Sequence, residues 1–138
     1  MASHVQEALR LTEYVKAFYK TGAYIGVVTE DKDSVKVVQI KDVLKHPIQG
    51  DLHNPNQTDV PLFHERKALA FNERANIPAT MVKPFDGKPG DYYEHLAEAV
   101  MELEWRLKEE DSAFNQKSLE ALAGVKKEYE LMYNMNFS

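Results

Sequence analysis

The run DGKPG at residues 86–90 separates two stretches of chain whose apolar residues repeat with different periods. Before it the period is close to two, as in strands. After it the period is 3.6, as in helices. No single kind of element satisfies both, so the chain reads as a β unit followed by a helical one, joined at a polar Pro/Gly run.

Residues 14–46 hold three short runs of β-branched and aromatic residues. In the first, Val15, Ala17 and Tyr19 fall on one face. The sequence KTG then turns the chain, with Gly22 expected at positive φ. Tyr24, Ile25, Val27 and Val28 form the second run, in which Gly26 predicts a bulge or a sharp bend. The third run, residues 35–44, carries Val35 and Val37 inward and then Ile40 and Leu44, the change of parity that a bulge produces. Short, bent, closely connected strands of this kind predict a small barrel. Leu69 and Phe71 within ERKALAFNE predict one further strand, and Pro78 is placed to open a short helix ahead of a linker.

Beyond the boundary, Tyr93, Leu96, Val100, Leu103 and Leu107 share one helical stripe. Asp91 with Glu94 three positions later is an N-cap signature. EEDSAFNQKS breaks the helix. A second helix then turns Leu119, Leu122, Tyr129 and Met132 inward, with Asn115 as its expected cap and Phe114 placed to staple onto Leu119. Two helices with a short polar link predict an antiparallel hairpin. Tyr129, Tyr133 and Phe137, spaced by four, form a stripe that packs either on this chain's core or on a partner.

Between the two parts, KHPIQGDLHNPNQTDVPLFHERKAL at residues 45–69 concentrates turn formers and chemically capable side chains. The candidates are His46, Asp51, His53, Asn54, His64, Glu65 and Arg66. His46, His53 and His64 are seven and eleven positions apart, which is not the i, i+4 spacing of a helical zinc site. With Asp51 as a further ligand and Glu65 as a base they would make a metal-dependent hydrolase. The plainer expectation is that they hydrogen-bond loop backbone and hold residues 45–64 in an ordered loop, with Leu62 and Phe63 packed on the barrel. His46 before Pro47 favours extended backbone, Asp51 after Gly50 an Asx-turn, and Asn54 before Pro55 a turn start.

The 138 residues are enough for one domain with its own core. No cysteine is present, which removes disulfides, thiolate metal sites, a cysteine nucleophile and a thioether lipid anchor from the sequence given. No apolar run is long enough to span a bilayer, and residues 1–13 lack the pattern of a signal peptide, so direct membrane insertion is not expected. The motifs of phosphate-binding loops, dinucleotide folds and serine hydrolases are missing, and no cofactor is expected. The net charge of −5 sits in the helices: residues 91–138 carry 11 acidic and 5 basic side chains. Nucleic acid is therefore an unexpected partner, and an RNA-binding barrel is the weakest alternative function.

YKTGAYIG, VLKHPIQGDLHNPNQTDVPLFHERKALAF, NIP and EEDSAFNQKSLEAL together resemble the kinase-associated protein B family of spore-forming bacteria. The resemblance runs from about residue 14 to the end, and the long loop is its most specific part. It implies an α+β, mainly β fold: an SH3-like, partly open small β-barrel over residues 14–90 and a C-terminal antiparallel helical hairpin over 91–138, packed as one unit. Residues 1–13 form an N-terminal segment whose first four residues need not be native. The resemblance also implies a non-enzymatic accessory protein that supports a sporulation sensor histidine kinase feeding a phosphorelay. Its place would be the cytoplasm, at the inner face of the membrane through its kinase partner. Members are described as lipoproteins, a trait that a chain without cysteine is not expected to share.

Overall fold

The computed structural model describes residues 13–50 and 64–137. The expectations for the middle of the long loop, including the packing of Leu62 and Phe63, lie outside the described residues.

Five strands form one antiparallel sheet: β1 (Tyr14–Tyr19), β2 (Gly22–Asp31), β3 (Val35–Lys45), β4 (Arg74–Pro78) and β5 (Val82–Phe85). Their order is β4-β3-β2-β1-β5, with a single 3-10 turn, Ala79–Met81, between the last two. This is the arrangement of an SH3-like barrel left open between β4 and β5. Two helices follow, α1 (Tyr92–Glu109) and α2 (Ala113–Tyr133). Glu104 meets Lys126 at 2.8 Å, and the rings of Tyr93 and Tyr133 lie 5.2 Å apart. These contacts run in opposite chain order, so the helices are antiparallel.

The β1–β2 turn is tighter than the sequence predicts. Tyr19 pairs with Gly22, leaving only Lys20 and Thr21 as the loop, and these two carry the positive φ values, 45° and 70°. That is the turn whose twist matches right-handed strands. Gly22 is required for a different reason: a Cβ there would meet the Tyr24 hydroxyl at 2.6 Å. Gly26 does mark an irregularity, since the β2–β3 register shifts between Ile25 and Gly26. A Cβ at Gly26 would stand 2.3 Å from the Gln39 carbonyl oxygen, so only glycine allows the strands to close there.

The inward set of β3 changes parity as expected, but at other residues. Val38, Ile40 and Val43 are buried, whereas Val35 and Val37 are half-buried and Leu44 is exposed. Lys41 and Leu44 are the extra residues skipped in the register, and each skip reverses the face. Residues 64–70 are not a strand. Their amides go to side chains instead of a ladder, and the fourth strand lies later, at β4. A fifth strand, β5, occupies what the sequence presents as linker; as the sheet's edge it tolerates Pro84.

Asp91 caps α1 by accepting from the Glu94 amide at 3.1 Å. The aromatic buried on this helix is Tyr92 in place of Tyr93. α2 begins earlier than predicted, because Ser112 is its cap, accepting from the Asn115 amide; Phe114 lies inside the helix. Leu122 and Tyr129 are buried, Leu119 is half-buried and Met132 is exposed, with Val125 taking the inward place. Tyr133 and Phe137 pack against the core, so the tyrosine stripe is covered by this chain itself. One hydrophobic cluster joins Ile40 and Ile77 of the sheet to Leu96 and Val100 of α1 and Leu122 and Val125 of α2. Each fully buried aliphatic side chain of this kind contributes about 2 kcal/mol.

Candidate functional site

The two ends of the long loop, residues 46–50 and 64–70, return to the same place beside the barrel and are held there by side chains. His46 is buried, at 1% exposure. Its Nδ1 lies 2.9 Å from the Pro47 carbonyl oxygen, which only accepts, so Nδ1 carries the proton. Nε2 is then the acceptor of the Tyr129 hydroxyl, 2.8 Å away. That hydroxyl accepts in turn from the Ala68 amide at 2.7 Å. Burial pushes the His46 imidazole down to about 4, in keeping with a neutral ring.

Tyrosines from three elements clamp two consecutive backbone units. The Tyr24 hydroxyl of β2 accepts from the Leu69 amide at 3.2 Å, the Tyr92 hydroxyl of α1 donates to the Leu69 carbonyl, and Tyr129 of α2 holds Ala68. Burial raises all three phenols, Tyr24 to about 12. A peptide unit whose donor and acceptor are both taken up in this way avoids the cost of an unpaired buried group.

Nearer the loop, Gln49 acts as a substitute for a strand. Its Oε1 accepts from the Arg66 amide at 2.8 Å, and its Nε2 donates to the Arg66 carbonyl at 2.8 Å. Arg66 Nε donates back to the Gly50 carbonyl at 3.0 Å, and the Gly50 amide donates to the His64 carbonyl at 2.9 Å. Gly50 has φ 106°, a conformation that other residues rarely adopt. The Ile48 amide reaches Thr21 Oγ1 in the β1–β2 turn at 2.9 Å. Glu65 is exposed, and its carboxylate lies against Gly124 of α2, where a Cβ would come within 2.4 Å of Oε1.

The structure therefore brings His46, His64, Glu65 and Arg66 to one stem, while Asp51, His53 and Asn54 lie outside the described residues. Both ring nitrogens of His46 are engaged, so it has no lone pair to offer a metal. Among the described residues no group of three or more His, Asp or Glu side chains converges to hold a metal ion. Sequence reasoning did not single out Gln49, whose side chain only becomes informative once Arg66 is seen opposite it.

A second polar cluster also escapes the sequence. Asp42, 1% exposed on β3, accepts from its neighbour's amide at Val43 (2.8 Å), from the Gly90 amide (2.7 Å) and from His95 Nδ1 (2.8 Å). It thus fastens the start of α1 to the sheet. The only signal is an acidic residue set where the inward parity of β3 changes. The hydrogen bond to Asp42 raises the His95 pKa, so the imidazolium stabilises the fold most below the ordinary value of 6.5, and this contribution is lost as pH rises through the raised value. The parent should accordingly melt above a His95→Gln variant at about pH 5 to 6, with the gap closing at alkaline pH. A gap that stays constant across a series of thermal melts from about pH 5 to 9 would show that no charge is carried by the pair.

Among the described residues no helix is long and apolar enough to cross a membrane. A family model described as Kinase associated protein B matches residues 19–130. The chain is 52% identical over 115 residues to Kinase-associated lipoprotein B of Bacillus subtilis (strain 168), a match spanning 83% of this chain and 90% of that protein. Among solved structures it is similar to the crystal structure of kinase-associated protein B from Bacillus cereus, at 40% identity and a TM-score of 0.73, covering 87% of this chain and 96% of the other.

Proposed function

The chain belongs to the kinase-associated protein B family, and we propose that it is a non-enzymatic accessory protein supporting a sporulation sensor histidine kinase that feeds a phosphorelay. The observation that carries this reading is the employment of the polar loop stem. His46, Gln49, Arg66 and the clamping tyrosines spend their hydrogen bonds on backbone or on one another. Among the described residues such a stem holds its side chains in a fixed shape, which suits recognition by another protein. The partner is the kinase's cytoplasmic portion, met at the inner face of the membrane.

Purified protein should form a complex with that portion of the kinase in a pull-down and in a titration followed by calorimetry, and should change its autophosphorylation rate. No association at micromolar concentrations of both would overturn the reading. The hydrolase reading, built on His46, His53 and His64 with Asp51 and Glu65, requires stoichiometric metal in freshly purified protein and its loss on replacing His53.

A further inference from the structure

The chain has one tryptophan, Trp105, and it points away from the core. It is 68% exposed, and Met101, one turn earlier on the same face of α1, is 60% exposed. The helix angle of 100° per residue sets Trp105 opposite Leu96, which is wholly buried. Tryptophan left in water is uncommon in a monomer's surface and common at the centre of protein interfaces.

The surroundings select what would cover it. Glu94 and Glu98 continue the same line of the helix, and Glu102 and Glu109 flank it, all exposed. Arg106 offsets Glu102 at 2.7 Å, Lys108 offsets Glu104 at 3.7 Å and His95 lies 4.0 Å from Glu98, yet the five glutamates of α1 outnumber its one arginine and one lysine. The field at this face is therefore acidic, within a hairpin segment of 11 acidic and 5 basic residues. A second copy presenting the same face would set acid against acid, and anionic lipid or nucleic acid would be repelled as well.

We propose that Trp105 and Met101 anchor an amphipathic segment of a partner protein in which an apolar side chain is flanked by lysines or arginines. This deepens the accessory-protein reading and rests on it in one respect, that the segment belongs to the kinase. Tryptophan supplies the desolvated anchor and the glutamates supply steering, a division of labour that separates dissociation from association rates.

Because the tryptophan is single, its own emission reports the contact. Two titrations test the surface, the first read by emission with the parent and the double variant Glu98→Lys, Glu109→Lys, the second read by calorimetry with these two and Trp105→Ala, after thermal melts have established that all three are folded. In the first the probe is a synthetic helical peptide of leucines edged by lysines, beside the same peptide with glutamates in place of the lysines. The lysine peptide should shift the parent's emission to the blue at low salt, the glutamate peptide should not, and the double variant should lose the effect. In the second the probe is the kinase's cytoplasmic portion, for which Trp105→Ala should weaken binding by at least about tenfold. Equal binding to parent and Trp105→Ala, with unchanged emission, overturns the surface but leaves the accessory role standing. No kinase binding by the parent, with the peptide result intact, overturns the kinase as the partner and keeps the surface. A blue shift that depends only on the protein's own concentration overturns the proposal in favour of self-association.

Discussion

Replacing Tyr129 with Phe should lower the stability of the protein by about 3 kcal/mol, because one hydroxyl serves two buried partners. It donates to His46 Nε2 and accepts from the Ala68 amide, and these groups lie on the two stems of the loop. Phe keeps the ring and its contacts with Tyr133 but leaves a buried donor and a buried acceptor unpaired, each at a cost of about 1 to 3 kcal/mol. For a domain of this size that loss is a fall of roughly 10 °C in Tm. Tyr133→Phe is the control, since Tyr133 is only half-buried. A Tyr129→Phe melt within a degree or two of the parent would mean that the hydroxyl does not hold the stems together.

Acid should loosen the same place. An unfolded histidine takes its proton near 6.5, whereas buried His46 resists it until about 4. Between these values the unfolded chain binds more protons than the folded one, so stability falls as pH falls, by about 3 kcal/mol over the interval. The urea midpoint should decline steadily from about pH 6.5 to 4, while the His46 ring carbon resonance stays that of a neutral imidazole. A ring that titrates near 6.5 in the folded protein would remove His46 as the origin of the acid limb. His95 acts in the other window, since its raised pKa favours the fold below 6.5 and that contribution is lost at higher pH, so the two histidines bound the pH range of greatest stability from opposite ends.

What the sequence discloses here follows from how local each cause is. The cap at Asp91, the stripe from Leu96 to Leu107 and the irregularity at Gly26 are set by neighbours within a few positions, and all are legible. The extra strand β5 is not, because Pro84 and the DGKPG run that follows resemble linker until β1 is seen to pair with it. Residues 64–70 mislead in the opposite direction: their alternation looks like a strand, but the amides of Arg66, Ala68, Leu69 and Ala70 go to side chains, those of Ala68 and Leu69 to tyrosines from distant elements. The same holds for the candidate site. His46 stands out by its place in the loop, whereas Asp42 and His95 lie 53 positions apart in runs that look ordinary, and only folding brings them together.

The separations that hide these contacts also order them in time. The β1–β2 pairing closes across two residues, but Ala68 must find Tyr129 across 61 positions and His46 must find it across 83. Loop-closure entropy delays such meetings until much of the chain is already compact. The tyrosine clamp is therefore a late event, assembled after the strands have paired, and its contribution falls mainly on the rate of leaving the native state. In stopped-flow experiments Tyr129→Phe should hasten unfolding far more than it slows folding, which makes the clamp the latch on the protein's lifetime and not the seed of its formation.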